Sequence, residues 1–318
     1  MKVPAIPVRV FWREGRPQVD LALFEGPVTD PFFDDTITLA FARPIAHLLR
    51  EERPLEELEP SPPDSLPIRG FIFHMSRCGS TAVSQMLASL PDLLVISEPS
   101  CLDALLDPGL YGGTGRDAQI TALRTLVANL CRQRSPAQSG AILKLAPWHV
   151  LHLPLWLAAF PAVPWVFAYR DPKVVLAANM ERTGGYFLPG ALPPELTGLD
   201  LQPSQLSAPE VSMGRLLAQM MAAPVPYLGQ GGLLLNYEQL PGAVRTLVGP
   251  HFGIPIDAAA WHRMQDVANR DAKNPAVLFR DDSAAKLRRA SPVTLGAADQ
   301  FAVGPYGRLE TLRLAGGK

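Results

Sequence analysis

A group of small and basic residues that follows an apolar run has the composition of an anion-binding loop. The run GFIFH (70–74) is followed by Arg77, Gly79, Ser80 and Thr81. Apolar residues then recur at helical spacing, which predicts that a helix begins at the two hydroxyl residues. The first turn of a helix offers unpaired backbone N–H groups and about half a positive charge. Together with a guanidinium, these groups predict a site for phosphate or sulfate.

The loop differs from that of nucleotide triphosphatases, which requires G-x-x-x-x-G-K-[ST]. Ser80 stands where that loop has its lysine, and His74 stands where it has its first glycine. The cation of this chain, Arg77, precedes Gly79 by two residues instead. A second interpretation stays open, in which this is an ordinary strand-to-helix turn with a capped helix start and a surface arginine.

A second cation is predicted at the end of another apolar run. Arg170 follows PWVFAY (164–169), and the next residues, Asp171 and Pro172, are typical of an N-cap and a first helical position. A second phosphate would need such a cation, held at a distance fixed by the sheet. Two alternatives remain. Arg170 could pair with a nearby carboxylate, or Asp171 could hold magnesium in a kinase-like site.

Titratable side chains also lie at two further strand ends. Lys144 lies in AILKL (141–145), and Glu98 follows LLVIS (93–97). A carboxylate at such a place can act as a general base if it lies about 3 Å from the acceptor and its pKa is raised towards neutrality. It can equally cap a helix or form an ion pair, and the lysine can extend its ammonium group to water. The spacing of His149 and His152 lacks the further ligands of a zinc site, so no metal is predicted.

These side chains need a scaffold that brings strand ends together. Apolar runs alternate with helical patterns from Ile68 onward, which predicts an α/β fold with a mostly parallel sheet covered by helices on both faces. Ligands bind at the carboxyl ends of the strands in such folds. The predicted strands are Gly70–His74, Leu93–Ser97, Ala141–Leu145, Pro164–Tyr169 and Gly232–Asn236, and the predicted helices lie near 80–90, 117–132, 149–159, 172–182 and 211–221, with another after Tyr237.

The first 67 residues differ from the rest of the chain. VRVFW (8–12) and VDLALF (19–24) predict a β-hairpin. The acidic, Pro-rich segment 51–67 is typical of a linker. We therefore expect a small β-containing extension with a Pro-rich linker over residues 1–67 and a main domain over residues 68–318.

The overall charge argues against broad nucleic-acid binding. The 318 residues include 29 Lys and Arg against 30 Asp and Glu, which leaves a net charge of -1 and no global basic field. The three cysteines, Cys78, Cys101 and Cys131, form no CxxC pair, which favours a reducing cytoplasm. The N-terminus lacks the apolar core of a signal peptide. The most apolar stretch, Val150–Tyr169, is interrupted by prolines, so no membrane span is predicted.

The sequence FIFHMSRCGST (71–81) resembles the 5′-phosphosulfate loop of the sulfotransferase family, whose members carry [KR]-x-G-[ST]-[ST] after the first strand. The matching residues are Arg77, Gly79, Ser80 and Thr81, with Cys78 at the variable position. The resemblance covers about residues 68–290. It implies a P-loop-type three-layer fold and 3′-phosphoadenosine 5′-phosphosulfate as the donor.

The resemblance also implies roles for the other strand ends. Lys144 is similar to the lysine of the family's K-x-H segment, which touches the transferring group. The family has its catalytic histidine where this chain has Ala146, and His149 follows as a substitute candidate. Glu98 resembles a Glu-Pro found in some bacterial and carbohydrate-directed members, which implies a base at that position.

Two residues of the donor site are implied in the same way. Arg170 resembles the arginine of the family's 3′-phosphate motif. The family's serine eight residues later is Ala178 here, and Asn179 beside it is the candidate replacement. Tyr237, in a sequence similar to the family's Y-E-x-L, is expected near the adenine, because an aromatic face suits stacking.

The resemblance therefore implies a metal-independent sulfotransferase that acts on a hydroxyl or amine of a small-molecule, carbohydrate or peptide acceptor. The alternatives are a magnesium-dependent kinase-like phosphotransferase and a non-catalytic nucleotide-binding module. Thr183–Tyr227 is expected to form a lid over the acceptor. Lys273 and Lys286 are candidates for the family's basic C-terminal segment, although their tract, 269–291, is more typical of a solvated basic face.

Overall fold

The N-terminal region of the protein forms a three-stranded antiparallel sheet. The structure is a computed structural model, and it describes residues 4–23, 26–42, 50–106, 115–182, 197 and 208–316. The strands of this sheet are β1 (Ile6–Arg13), β2 (Arg16–Ala22) and β3 (Arg50–Pro54), with β2 in the middle. Glu14 and Gly15 make the β1–β2 turn with φ values of 51° and 74°. The predicted hairpin is confirmed. The segment predicted as a linker begins with β3, because its first residues pair with β2.

Helix α1 (Phe33–Phe41) lies between β2 and β3 in the chain. The loop before it contacts the helix that follows the predicted anion loop, because Gln85 Nε2 donates to the backbone carbonyl of Asp30 at 3.3 Å. The carboxylate of Asp30 in turn accepts from Thr36 Oγ1 at 2.6 Å, which fixes the start of α1.

A five-stranded sheet lies at the centre of the fold. All its neighbouring strands are parallel, in the order β5-β6-β4-β7-β8. Every residue of β5, β6 and β7 is buried, which requires cover on both faces of the sheet. The predicted α/β fold is confirmed, and each strand lies within two residues of its predicted bounds. The strands are β4 (Ile68–His74), β5 (Leu93–Ser97), β6 (Gly140–Lys144), β7 (Trp165–Tyr169) and β8 (Gly232–Asn236).

Helices follow the strands near the five predicted ranges up to residue 222, and more helices than the one predicted lie beyond Tyr237. They are α2 (Ser80–Ala88), α3 (Arg116–Leu130), α4 (Leu153–Ala159), α5 (Pro172–Glu181), α6 (Pro209–Ala222), α7 (Ala258–Ala268), α8 (Ser283–Arg289), α9 (Pro292–Ala297) and α10 (Val303–Leu314). A small hairpin, β9 (Arg270–Asp271) and β10 (Asn274–Leu278), separates α7 from α8. The first part of the predicted lid lies outside the described residues, apart from Thr197, and its last part is α6 with the turn after it.

One hydrophobic cluster joins both sheets. Ile6 of the N-terminal sheet and Ile72 of the central sheet belong to it, and both are fully buried. Phe71 and Trp156 pack edge to face inside it, with ring centroids 5.2 Å apart. Among the described helices, none has both the length and the apolar character needed to span a membrane.

Candidate functional site

The predicted site residues converge because parallel strands end at one edge of the sheet. Lys144 is the last residue of β6, and Glu98 follows β5. Arg170 follows β7, and the predicted anion loop follows β4. Since β6 and β7 are the two neighbours of β4, Lys144 and Arg170 lie on opposite sides of the loop.

The loop between β4 and α2 has an unusual backbone. Ser76, Arg77 and Gly79 have φ values of 69°, 50° and 83°. A Cβ atom at Gly79 would lie 2.7 Å from Leu240 Cδ1 and 2.9 Å from Tyr237 Cδ2. The absence of a side chain therefore lets the loop pack against Tyr237, and the backbone conformation also favours glycine.

The start of α2 differs from a helix capped by a side chain. Gly79 is its N-cap, so the residue at this position has no side chain that could accept from the first turn. Ser80 and Thr81 follow and are buried. Cys78 is also buried, and its thiol donates to the carbonyl of Ala168 at 3.1 Å, so only its backbone can serve an anion. The start of α2 therefore lacks the side-chain cap that the ordinary-turn interpretation includes.

A buried polar cluster lies beside the loop. The ammonium group of Lys144 donates to Thr81 Oγ1 at 3.2 Å and to the carboxylate of Glu98. His74 Nε2 lies 3.3 Å from Glu98 Oε1. The backbone N–H of Ser76 donates to His74 Nδ1 at 3.1 Å, so Nδ1 is the unprotonated nitrogen and Nε2 carries the proton towards Glu98.

A general base in the resting enzyme needs a pKa raised towards neutrality, and the charges of this cluster act in the opposite direction on Glu98. Burial by itself would raise the pKa of Glu98, but Lys144 and His74 outweigh it and hold the pKa of Glu98 well below its ordinary value. Burial lowers the pKa of His74, which keeps its ring neutral. In this arrangement the carboxylate of Glu98 serves as the counter-ion of Lys144, which is the ion-pair alternative for this residue.

Arg77 is tied to the neighbouring chain segments. Its Nη2 donates to the carbonyl of Arg182 at 2.5 Å, just beyond α5. Burial and the nearby charge of Arg182 lower the pKa of Arg77. Its own backbone carbonyl accepts from Arg170 Nη1 at 3.3 Å. The two predicted anion-binding arginines are thus connected through the loop.

Arg170 already has an anionic partner. Its Nη2 lies 3.2 Å from Asp281 Oδ1 and donates to the hydroxyl of Ser283. The guanidinium also stacks on the ring of Tyr237, 3.7 Å from the centroid. Arg170 therefore pairs with a carboxylate, as one of the alternative interpretations of the sequence predicts. The stacking holds the guanidinium of Arg170 over one face of the Tyr237 ring, so the two side chains lie together at this end of the loop.

Other predicted residues have local partners. Asp171 is the N-cap of α5 and accepts from the N–H of Lys173 at 2.8 Å. Asn179 is fully buried, and its amide donates to the carbonyl of Val175 one turn earlier. His149 is also fully buried. Its Nε2 lies 2.7 Å from Asp103 Oδ1 and its ring stacks on that of Trp156, so these contacts hold the histidine within the fold.

The residue patterns missed two side chains of the site, Phe32 and Asp281, and gave a third, Lys273, only as a candidate of the family's basic C-terminal segment. Phe32 lies outside the segment that resembles a known family, yet its ring centroid is 5.1 Å from Lys144 Nζ. Lys273, interpreted mainly as part of a solvated face, contacts the same ring. Asp281, the partner of Arg170, is one acidic residue in a mostly basic tract. The signal for Lys273 was the family's basic C-terminal segment, whereas neither Phe32 nor Asp281 lies in a motif that would have identified it.

Comparison with known proteins finds likeness at the level of structure. No protein-family model matches the chain, and no curated protein matches it. A sulfotransferase of Mycobacterium avium is 15% identical, with 76% of this chain and 78% of that chain covered and a TM-score of 0.42. A sulfotransferase of Mycobacterium tuberculosis is 13% identical over the same shares, with a TM-score of 0.44. The sulfotransferase domain of a Synechococcus olefin synthase is 15% identical, with 79% and 97% covered and a TM-score of 0.42. Likeness of this degree assigns no activity, which depends on the side chains of the site.

Proposed function

We propose that this chain is a sulfotransferase that moves a sulfuryl group from 3′-phosphoadenosine 5′-phosphosulfate to a hydroxyl or amine. The observation that supports this most is that Lys144 ends β6 and Arg170 follows β7, the two strands that flank β4 and the Gly79 loop after it. A donor with a phosphosulfate at one end and a phosphate at the other needs two cationic sites on a rigid frame.

The residues present fit such a donor. Gly79 lets the loop pack closely against Tyr237 and Leu240, and the first turn of α2, which begins directly after it, offers its free N–H groups at the loop. We assign Arg77, Ser80 and Thr81 to the phosphosulfate and Arg170 to the 3′-phosphate. The carboxylate of Asp281 contacts Arg170, so Arg170 already holds an anionic group where we assign the 3′-phosphate. Tyr237, beside Arg170, is assigned to the adenine.

The donor supplies an activated sulfuryl group when bound. Arg77, Lys144 and the first-turn N–H groups of α2 stabilise the negative charge that builds on the bridging oxygen during transfer. Each such preorganised donor of a hydrogen bond contributes about 100- to 1000-fold to rate. The full burial of Lys144 strengthens its effect, because little water screens its charge.

Glu98 is the residue we assign as the base. It is ionised, and its carboxylate is the hydrogen-bond acceptor of Lys144. An anion that attracts the ammonium group away from Glu98 raises the basicity of the carboxylate, since Lys144 is the main group that holds its pKa down. His74 keeps its Nε2 proton towards the same oxygen and positions it. Asn179 and His149 are given no role, because each is buried against its own partners.

The decisive experiment is calorimetry with adenosine 3′,5′-bisphosphate in EDTA. We expect wild-type protein to bind it at least about tenfold tighter than adenosine 5′-phosphate, and Arg170→Met to remove that preference. Absence of binding by the wild type would refute the proposal. Binding without transfer from the donor to any phenol, amine or sugar acceptor would favour a non-catalytic module. Activity that requires magnesium would favour the kinase-like alternative.

The setting of the enzyme follows from the same proposal. We place it in the cytoplasm, where the three buried free thiols, Cys78, Cys101 and Cys131, would stay reduced. We propose residues 68–318 as the catalytic unit and residues 1–67 as an extension. A small-molecule, carbohydrate or peptide acceptor remains part of the proposal.

A further inference from the structure

Two ammonium groups share one aromatic ring at the edge of the site. Lys144 Nζ lies 5.1 Å from the centroid of the Phe32 ring, and Lys273 Nζ lies 5.2 Å from the same centroid. Phe32 belongs to the N-terminal region, Lys144 to the central sheet and Lys273 to the β9–β10 turn. Three segments distant in sequence therefore meet beside the loop.

The turn that carries Lys273 is held in place by its backbone. Asp271 Oδ1 accepts from the N–H groups of Lys273 and Asn274, each at 2.9 Å. The carboxylate of Asp271 thus closes the turn, which fixes the position of the Lys273 backbone. Lys286, the other basic candidate of this tract, instead pairs with Asp282 in its own helix at 2.6 Å.

The charges around Lys273 are unbalanced. Lys273 is exposed as a residue, but the protein groups around its ammonium group partly desolvate it and lower its pKa, and repulsion from Arg77 and Lys144 lowers the pKa further. Glu98 and Asp271 offset these cations only in part, and His74, whose pKa is lowered by burial, adds no charge that would change the balance. Three cations, Arg77, Lys144 and Lys273, therefore lie near two carboxylates, Glu98 and Asp271, an arrangement that favours a bound anion.

We propose that Lys273 is a further sulfuryl-binding residue, positioned by Phe32 to contact the oxygens of the transferring group beside Lys144. This inference rests on the proposed function. It gives the N-terminal region a part in the site, because Phe32 places the lysine. It also gives Lys273 a role other than binding the 3′-phosphate, because we assign that phosphate to Arg170 on the other side of the loop.

The test compares two ligands that differ at one end. Adenosine 3′,5′-bisphosphate lacks the sulfuryl group that the phosphosulfate donor carries, so a sulfuryl-binding residue should affect only the donor. For Lys273→Gln we expect the donor to bind about tenfold more weakly in the absence of acceptor, with bisphosphate affinity within about twofold of wild type. Lys273→Arg should recover part of the donor affinity. The charge-matched control is Arg263→Gln, an exposed change on α7 that should leave both affinities unchanged.

The outcomes separate this inference from the proposed function. Failure of the wild type to bind bisphosphate refutes the function and the inference together. Normal wild-type binding with equal weakening of both ligands in Lys273→Gln, or with no weakening of either, overturns the role of Lys273 alone. Thermal melting of each variant checks that the fold is retained.

Phe32 provides a second, independent measurement. Phe32→Leu keeps an apolar side chain but removes the ring that both ammonium groups contact. We expect it to lower donor affinity by about threefold, and to add little further loss in the Lys273→Gln background, because the two residues act through one contact. Full additivity of the two losses would overturn the positioning role, whereas recovery in Phe32→Tyr would support it.

Discussion

Lys144 and Glu98 form an ion pair whose geometry is set by strand register. Ser97 of β5 is paired with Lys144 of β6, so Glu98 lies one residue beyond its partner, and its N–H donates to the carbonyl of Lys144 at 2.6 Å. The exposed fractions of the two side chains are 0% and 11%. A slip of one residue would point one of them to the other face of the sheet.

Replacement of Lys144 tests the contribution of this pair to transfer. Lys144→Met should lower the single-turnover rate of sulfuryl transfer about 100- to 1000-fold, because a preorganised positive charge is lost. Rapid-quench kinetics with saturating donor measures the effect. Lys173→Met, at a partly exposed lysine on α5 that pairs with Asp299, is the matched control and should leave the rate unchanged. A rate for Lys144→Met within about threefold of wild type would contradict the assigned role.

Arg77 should matter for chemistry more than for the fold. Arg77→Ala removes one charge-assisted hydrogen bond, to the carbonyl of Arg182, from a half-buried position. We expect a loss of about 100-fold or more in transfer and a melting temperature within a few degrees of wild type. Activity assays paired with thermal melting test both parts. Unchanged turnover would remove Arg77 from the site.

The contact between Asp281 and Arg170 should weaken donor binding. The hydroxyl and backbone N–H of Ser283, followed by Arg170, keep the pKa of Asp281 low and its carboxylate ionised, so it competes with a phosphate for the guanidinium. Asp281→Asn should therefore bind adenosine 3′,5′-bisphosphate about threefold to tenfold tighter, with little change for adenosine 5′-phosphate. Calorimetry measures both. Asp266→Asn, on the exposed side of α7, is the control, and weaker binding by Asp281→Asn would show that the carboxylate supports the site.

Gly79 should tolerate no side chain. Gly79→Ala combines a left-handed backbone, at φ 83°, with contacts of 2.7 and 2.9 Å to Leu240 and Tyr237. We expect a loss of about 2 kcal/mol or more in the free energy of unfolding, measured by urea denaturation. Gly242→Ala, at a helical glycine whose Cβ would meet nothing within 4 Å, is the matched control and should cost little. Equal stability of the two variants would contradict the close packing at the loop.

Glu310 should stabilise the fold in a pH-dependent way. Burial alone would raise its pKa, but bonds from Arg313, Tyr169 and Asn236 lower the pKa of Glu310 from 4.5 to about 2. A lowered folded-state pKa stabilises the protein above the unfolded value, and this contribution is lost as pH falls from about 5 towards about 2. Glu310→Gln should therefore lose about 2 kcal/mol at neutral pH. The difference should shrink over that range in denaturation curves, and a pH-independent difference would argue against the ionised network.

Much of the fold could be predicted from local pattern. The five apolar runs, Gly70–His74 among them, became the five strands, because a parallel sheet buried on both faces requires continuous apolar segments. The identity of the polar residue after each strand was equally visible, so Arg77, Glu98, Lys144 and Arg170 were found as candidates. Periodicity does not encode strand order, however, and which of these residues would be neighbours stayed open.

The tertiary structure decided the partners and therefore the chemistry. The low pKa of Glu98 depends on the proximity of Lys144, 46 residues away, and the pairing of Arg170 with Asp281 spans 111 residues. Phe32 enters the site from a region with no recognisable motif.

The sequence by itself thus determined the α/β class and the residue types at the edge of the sheet, since burial and spacing are local properties. Only the folded chain determined which charges meet. Electrostatic effects depend on distance and on the exclusion of water, and the packing of segments distant in sequence creates both.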